Sequence, residues 1–297
     1  MAKPIIIVAD NMEKEVLDKL GEIGEVVFQP GELKHSLKTA NVLIVRSSTK
    51  VTADLISDAP NLKIVARAGV GLDTIDVEAC KAKGIEVVNT PGASTNAVAE
   101  LTICMIMGIM RKVGFLHAKM KEAKWEKKAG IGNEIHGKTL GIIGMGRIGQ
   151  AVAKKASALG MNVIYYDHHK KEGLPFKYYE SIDELLPYAD VISLHASAEK
   201  GAPPIIGEGQ FSKMKKGAFF VNLARGSLVD EDELYLALVQ GRVAGVALDV
   251  YAAEPYEGQF VLLDNVLLTP HVGATTHEAQ ARIGEDLILQ LKSKLGV

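Results

Sequence analysis

Polar residues follow apolar runs in the second half of the chain, and their types suit acid–base chemistry. His195 follows VISL, Arg225 follows FVNLA, Asp249 follows VAL, and His271 follows LLTP, with Glu254 five residues beyond Asp249. An arginine can bind a carboxylate through two hydrogen bonds, and a histidine changes charge near neutral pH. A glutamate beside that histidine would hold one tautomer and favour the protonated ring. These are the groups needed to take a proton from a hydroxyl that neighbours a carboxylate.

A glycine-rich segment precedes these residues. Gly144, Gly146 and Gly149 form the pattern GxGxxG between the apolar run TLGII and a helical segment. In this pattern the first glycine permits a tight turn, the second lets the backbone approach a pyrophosphate, and the third lets helix and strand pack closely. Asp167 ends the next predicted strand, where a carboxylate can accept both ribose hydroxyls and repel a 2′-phosphate. The pattern predicts an NAD site, and the alternative is a structural glycine turn with a surface aspartate.

Strands and helices must alternate to place these residues at one edge of a sheet. In the first part we predict strands at Pro4–Val8, Glu25–Phe28, Val42–Val45, Leu62–Ala66 and Glu86–Val88, and helices at Lys14–Leu20, Ala53–Asp58 and Asp76–Lys83. Later strands are predicted at Thr139–Ile143, Asn162–Tyr166, Val191–Leu194, Ala218–Asn222, Ala244–Leu248 and Val266–Thr269. A long apolar helix should start with a Ser94 or Thr95 cap and run towards Lys119, and Thr276–Leu295 should be helical. The alternation predicts an α/β protein with doubly wound parallel sheets, whose ligands bind beyond the carboxyl ends of the strands.

The composition and charge argue against a nucleic-acid-binding protein, a membrane protein and a metal-binding protein. The chain has 297 residues and a formal net charge of −2, which gives no general attraction to nucleic acid or anionic lipid. The apolar run Leu101–Met110 is too short to span a bilayer, and the start of the chain lacks a signal-peptide pattern. We therefore expect a cytoplasmic protein that binds neither nucleic acid nor a membrane. Cys80 and Cys104 are predicted to be reduced core thiols, and no metal site is predicted.

Three segments resemble the catalytic signatures of the D-isomer-specific 2-hydroxyacid dehydrogenases. They are NLARGSLVDE from Asn222, LDVYAAEP from Leu248 and PHVGATTHEAQ from Pro270. The resemblance covers essentially the whole chain. Further segments are similar to the branch of this family that oxidises 3-phospho-D-glycerate, namely VRSSTKVT from Val45, ARAGVGLD from Ala66, VNTPGAS from Val88 and KWE from Lys124.

The resemblance implies a domain organisation and a set of partners. A flavodoxin-like substrate-binding domain would comprise residues 1–95 plus 276–297, and a Rossmann NAD-binding domain would comprise 96–275, with a cleft between them. The cofactor would be NAD and the substrate a small phosphorylated 2-hydroxy acid. A homodimer would form largely through the cofactor domain, with the helix Val98–Met110 against its partner.

The resemblance also implies residue roles by motif position. Arg225 would orient the substrate, Glu254 would orient the imidazole, and His271 would be the acid–base group. The expected cofactor residues are Gly144, Gly146, Arg147, Ile148, Gly149, Asp167, His195, Ala196, Leu223, Ala224, Asp249, Gly273 and Ala274. The expected substrate residues are Arg46, Ser47, Gly69, Val70, Gly71 and Ser94.

The expected reaction is NAD-dependent oxidation of 3-phospho-D-glycerate to 3-phosphohydroxypyruvate, which belongs to serine biosynthesis. Reduction of glyoxylate or hydroxypyruvate by the same residues is the enzymatic alternative. An NADH-sensing binding protein of the same fold, such as a corepressor, is the alternative from another class. The lysines around Trp125 are interpreted as a solvated helix face because Glu122 and Glu126 are interleaved with them. The alternative is that one of these lysines reaches a substrate phosphate.

Overall fold

Short Val- and Ile-rich runs form the strands of two parallel sheets in the computed structural model, which describes residues 3–199 and 201–296. The chain divides into two compact units. The first unit comprises Met1–Ser94 and Ala274–Val297, and the second comprises Thr95–Gly273. The functional role of each unit stays a prediction, whereas the predicted fold class, α/β with two parallel sheets, is confirmed.

The first unit is built on a five-stranded sheet. Its strands are β1 (Ile5–Val8), β2 (Glu25–Phe28), β3 (Val42–Val45), β4 (Ile64–Arg67) and β5 (Glu86–Asn89). They pair in the order β2-β1-β3-β4-β5, which is the flavodoxin-like order. The helices are α1 (Lys14–Ile23), α2 (Leu33–Ser36), α3 (Val77–Ala82) and the C-terminal helix His277–Leu295.

The core of the first unit follows the two-residue period of its strands. Ile6 and Ile44 face α1 and the C-terminal helix, whereas Ile7 and Leu43 belong to a core cluster on the other face. Both faces are buried, which explains why these strands consist of continuous apolar runs. The loops at the carboxyl ends of the strands are therefore the places where polar groups can be displayed.

One predicted helix of this unit is wrong. Residues 53–58 form hydrogen-bonded turns, in which Ile56 donates to the carbonyl of Thr52 and Ser57 donates to that of Asp54. The segment is short, and Pro60 prevents the residue before it from adopting helical geometry. The single turn of α2 was not predicted because four residues cover only about one helical period, which is too few to show a repeating apolar pattern.

The second unit is built on a seven-stranded parallel sheet. Its strands are β6 (Thr139–Ile143), β7 (Asn162–Tyr166), β8 (Lys177–Tyr179), β9 (Val191–Leu194), β10 (Ala218–Asn222), β11 (Val243–Leu248) and β12 (Val266–Leu268). They pair in the order β12-β11-β10-β9-β6-β7-β8, which is the Rossmann order extended by one strand. The strand order reverses between β6 and β9. This switch point is where parallel sheets bind ligands.

The helices of this unit are α4 (Thr95–Met110), α5 (Val113–Lys121), α6 (Arg147–Ala158), α7 (Ile182–Leu185), α8 (Glu208–Lys213) and α9 (Glu231–Val239). The predicted strands of both units are present, with ends shifted by at most two residues. The edge strand β8 was not predicted, because three residues beginning with a lysine carry too little pattern. No described helix has the length and apolar character needed to cross a membrane.

The predicted continuous helix towards Lys119 is wrong, because the helix is interrupted between α4 and α5. Lys112 adopts a left-handed conformation with φ 56°. The carbonyl of Met110 accepts a hydrogen bond from the amide of Asn133, so a distant segment caps the end of α4. At the other end, the predicted cap at Thr95 is not formed, since its buried hydroxyl has no partner among the described residues. Cys104 on α4 is exposed, which corrects its prediction as a core thiol, whereas Cys80 is buried.

Candidate active site

The glycine-rich loop packs at the switch point of the second sheet. Gly144 adopts φ 96°, and a Cβ atom there would lie 2.6 Å from the amide nitrogen of Ala196. A Cβ atom at Gly149 would lie 2.2 Å from the carbonyl oxygen of Gly144. Both positions therefore require glycine for close packing. Gly146, in contrast, has nothing within 4 Å of its Cβ position and faces open space.

The start of α6 offers unpaired backbone donors beside this open space. Gly146 is the N-cap residue, and no side chain caps the helix. Within the described ranges, no residue accepts a hydrogen bond from the amides of Arg147 or Ile148. A helix N-terminus with free amides and a positive dipole end attracts phosphate groups. The loop thus fits the pyrophosphate of a dinucleotide, as the sequence predicts.

Asp167 lies next to the same loop at the end of β7. One carboxylate oxygen accepts a hydrogen bond from the amide of Met145 at 2.8 Å, and the other lies 3.1 Å from the ammonium nitrogen of Lys171. Burial raises the pKa of Asp167, but the hydrogen bonds from Lys171 and Met145 outweigh it and hold the pKa below its ordinary value. The carboxylate is therefore ionised at neutral pH, and one of its oxygens already forms an ion pair with Lys171.

His195 directly follows β9, on the other side of the switch point. Its Nε2 atom lies 2.9 Å from the hydroxyl of Ser193. Although part of the residue is exposed, burial of the imidazole lowers the pKa of His195 to about 4. The ring is therefore neutral at physiological pH. Its main chain, with that of Ala196, forms the wall against which Gly144 packs.

The two residues predicted as the acid–base pair lie together in the second unit. The Nδ1 atom of His271 lies 2.8 Å from a carboxylate oxygen of Glu254, and both side chains are partly exposed. The other Glu254 oxygen accepts a hydrogen bond from the amide of Tyr251. A proton on Nδ1 of the neutral ring donates to Glu254, which leaves Nε2 to accept a proton from a substrate. The backbone of His271 is left-handed, with φ 52°.

Asp249 holds the loop that carries His271. Its side chain is 1% exposed. One oxygen accepts from the hydroxyl of Thr269 at 2.6 Å and from the amide of Val272 at 2.8 Å, and the other accepts from the amide of Gly273 at 2.8 Å. The sequence predicts a cofactor role for Asp249, and the structure shows both oxygens bonded to the loop on either side of His271.

Arg225 is carried by a loop that a second buried polar residue shapes. Asn222, which is 1% exposed, accepts a hydrogen bond from the amide of Ala224 and donates one to the carbonyl of Arg225, each at 2.9 Å. The next residue, Gly226, packs so closely that a Cβ atom would lie 1.9 Å from the carbonyl carbon of Tyr251. The Arg225 loop therefore adjoins the loop that leads to Glu254.

Asn222 was not predicted as a site residue. Its signal in the sequence is a polar residue that ends an apolar strand run, which could have singled it out. The remaining predicted cofactor residues lie on the same edge of the second sheet or follow it: Leu223 and Ala224 are buried at the end of β10, Gly273 is buried after β12, and Ala274 begins the return to the first unit.

The predicted substrate turn lies in the first unit, after β4. The carbonyl of Val70 accepts a hydrogen bond from the Asn89 side chain at 2.6 Å, and the carbonyl of Gly71 accepts one from Arg67 at 3.0 Å. Gly69 adopts φ 153°, which favours glycine. In the described part of the chain, the amides of Val70 and Gly71 have no acceptor. With its carbonyls held, the turn can present two amides to a carboxylate.

The other predicted substrate residues lie at neighbouring strand ends. Arg46 follows β3, and its guanidinium donates to the carbonyl of Asn11 at 3.1 Å. Ser47 is exposed, whereas Ser94 is almost fully buried. Asp10, which was not predicted, accepts hydrogen bonds from the amide of Arg46 and from the hydroxyl of Thr49. Arg46 and Ser47, which are adjacent in sequence, thus lie on one loop that Asp10 anchors.

The chain is similar in sequence to a known family of proteins. Residues 103–273 match the family described as D-isomer specific 2-hydroxyacid dehydrogenase, NAD binding domain. The chain is also 44% identical over 307 residues to the hydroxypyruvate reductase of Thermotoga maritima, with 100% of both chains covered. The chain belongs to the D-isomer specific 2-hydroxyacid dehydrogenase family. It is an NAD-dependent dehydrogenase, as the sequence predicts.

Other relatives of this dehydrogenase have different names. It is 45% identical over 299 residues to the D-3-phosphoglycerate dehydrogenase of Methanocaldococcus jannaschii, and it spans 98% of its own length but 57% of that protein. Among solved structures, the D-lactate dehydrogenase of Aquifex aeolicus, complexed with NAD and lactic acid, superposes with a TM-score of 0.88 at 32% identity. That alignment covers 98% of this chain and 95% of the other. Because the relatives are enzymes, the alternative of an NADH-sensing binding protein has no support from them.

Proposed function

We propose that this dehydrogenase oxidises 3-phospho-D-glycerate at C2 to 3-phosphohydroxypyruvate, the step expected for serine biosynthesis. The observation that carries the proposed chemistry is the 2.8 Å pair of His271 and Glu254, because the loop that leads to Glu254 adjoins the Arg225 loop. The support for the phosphorylated substrate is the set of relatives named D-3-phosphoglycerate dehydrogenase.

The proton would leave the C2 hydroxyl for Nε2 of His271. Glu254 then faces a cationic imidazolium through Nδ1, and this ion pair stabilises the protonated ring. Bound NAD supplies the acceptor for the hydride that leaves C2. The alcohol thus loses one proton to His271 and one hydride, and the product is a 2-oxo acid.

Arg225 would hold the substrate carboxylate and polarise the adjacent C–O bond. A guanidinium can do both through its planar fork, which a lysine ammonium lacks. Arg225→Lys is therefore expected to raise KM for the hydroxy acid and to lower kcat. In the first unit, the amides of Val70 and Gly71 would offer hydrogen-bond donors to a carboxylate. Arg46 and Ser47 would face the phosphate, and Ser94 would contribute from its buried position.

The substrate assignment is tested by comparing kcat/KM for 3-phospho-D-glycerate and D-glycerate, followed by NADH absorbance. We expect the phosphorylated acid to be favoured by about tenfold or more. Arg46→Met should remove most of that preference and leave kcat/KM for D-glycerate unchanged. Lys50→Met, an exposed cation further along the same segment, is the matched control. Equal rates with both acids would overturn the phosphate assignment but not the reaction class.

A second candidate is reduction of hydroxypyruvate or glyoxylate. It is favoured by the Thermotoga maritima relative, which this chain matches over the full length of both proteins. The same residues would run in reverse, with His271 donating the proton. Faster turnover of hydroxypyruvate with NADH than of any phosphorylated substrate would establish it.

We also propose a cytoplasmic homodimer. The support for a dimer is the group of exposed apolar side chains on α4, α5 and the segment that follows them, Met107, Val113, Met120, Trp125 and Ile131. The ion pair of Lys124 with Glu122, whose charged atoms lie 2.8 Å apart, neutralises part of the positive charge beside Trp125. Sedimentation velocity is the test, and a monomer at micromolar concentration would contradict the proposal.

A further inference from the structure

The residues after β7 form an anchored basic loop with the sequence Asp-His-His-Lys-Lys from Asp167 to Lys171. The hydroxyl of buried Tyr165 accepts a hydrogen bond from the amide of Lys171 at 3.0 Å and donates one to its carbonyl at 3.4 Å. The Tyr165 ring packs on Tyr178, with centroids 5.4 Å apart. The backbone of Lys171 is therefore fixed against the end of the strand.

This anchoring places the Lys171 ammonium at the Asp167 carboxylate. The two groups lie 3.1 Å apart, and 34% of the Lys171 side chain is exposed. The second Asp167 oxygen is bonded to the Met145 amide within the glycine-rich loop. The carboxylate expected to exclude a 2′-phosphate is thus not an isolated negative charge. It is one half of an ion pair.

We infer that Lys171 is a second determinant of cofactor choice, and that this dehydrogenase accepts the 2′-phosphorylated dinucleotide NADP as a weaker cofactor. The inference rests on the proposed placement of Asp167 at the adenosine ribose. A 2′-phosphate dianion brought to that place meets the ammonium as well as the carboxylate, so the two charges oppose each other. The ribose of NAD carries no charge there, and Lys171 contributes little to its binding.

The test is direct binding of NADH and NADPH, measured by nicotinamide fluorescence without any hydroxy acid. Lys171→Met should weaken NADPH binding by roughly fivefold, the upper range for one exposed charge pair, and change the Kd for NADH by less than about twofold. Lys170→Met is the matched control, because this exposed neighbour has no partner among the described residues. It should change neither Kd. An unchanged NADPH-to-NADH ratio in Lys171→Met, or an equal effect of Lys170→Met, would overturn the inference.

A second variant separates this inference from the proposed function. Asp167→Asn removes the negative charge and keeps an acceptor for the Met145 amide, so NADPH binding should tighten, by about tenfold. Adding Lys171→Met should cancel most of that gain. If Asp167→Asn changes neither Kd, Asp167 does not meet the ribose and the inference fails. Oxidation of the hydroxy acid by the unmodified protein is judged by a separate assay, so its failure would instead remove the proposed function.

Discussion

The two units contain a similar anchor, in which an aspartate after one strand holds the loop after the neighbouring strand. Asp10 follows β1 and holds the loop after the neighbouring strand β3, accepting from the Thr49 hydroxyl at 2.6 Å and from the amides of Arg46 and Thr49. Asp249 follows β11 and holds the loop after the neighbouring strand β12 in the same way, with Thr269 in place of Thr49.

The difference between the two anchored loops is the residue that each one carries. The loop of the first unit carries Arg46, whose guanidinium donates a hydrogen bond to the carbonyl of Asn11. The loop of the second unit carries His271, which can exchange a proton and is paired with Glu254. In both units, a buried aspartate therefore holds the loop that follows the neighbouring strand. We propose that the residue carried by each loop sets its role, which would be anion recognition for Arg46 and proton transfer for His271.

The largest effect is expected when His271, the proposed proton acceptor of the second unit, is removed. His271→Ala should lower kcat by about 10² or more, the lower range for acid–base catalysis, with little change in NADH binding. Glu254→Gln keeps the size of the side chain and should lower kcat less, because the ring loses only its charged partner. Near-normal turnover of His271→Ala would show that the two units do not divide the work as proposed.

The next largest effect is expected from substitution of the two anchoring aspartates, Asp249 and Asp10. Asp249→Asn should lower kcat by about tenfold, because an amide nitrogen then faces one of the backbone donors beside His271. Asp10→Asn should leave kcat nearly unchanged and raise KM for the phosphorylated acid. Urea unfolding of both variants corrects for lost stability. A fall in kcat of the same size in Asp10→Asn would break the comparison.

A smaller effect is expected at the substrate turn of the first unit. Asn89→Ala removes the donor to the Val70 carbonyl, so the turn amides should be less well ordered and KM for the hydroxy acid should rise about threefold to fivefold. The Kd for NADH is the internal control, since it should not move. A change in NADH binding would mean that Asn89 acts through the fold rather than through the turn.

The smallest effect concerns stability and pH in the second unit. The folded-state pKa of His195, about 4, lies below the unfolded value near 6.5. Between these two pH values, His195 therefore binds a proton in the unfolded chain but not in the folded protein. Its contribution to the free energy of unfolding is present above pH 6.5 and is lost as the pH falls towards 4. His195→Gln should reduce the loss of stability between pH 7 and pH 5, measured by urea unfolding. The Ser193 contact provides a check, because Ser193→Ala should not remove the pH dependence.

Much of the fold could be predicted because local patterns were strong. The apolar strand runs, the glycine pattern at Gly144 and the polar residues at strand ends each follow from short-range sequence periods. The break at Lys112 could not be predicted, since the amide of Asn133, which caps the Met110 carbonyl, comes from another part of the chain. The exposure of Cys104 was missed because an apolar helix does not reveal which of its faces remains open.

The site divides in the same way. Residue type and spacing by themselves selected His271, Glu254, Arg225 and Asp167, because each chemistry needs a particular functional group at a strand end. Only the tertiary structure decided what holds them: Asp249 beside His271, Asn222 beside Arg225, and Lys171 against Asp167. The Asp249 contact joins residues 23 positions apart, and it forms only because the sheet brings their loops together. The Asn222 and Lys171 contacts are local in sequence, but they depend on loop conformations that residue type and spacing do not reveal.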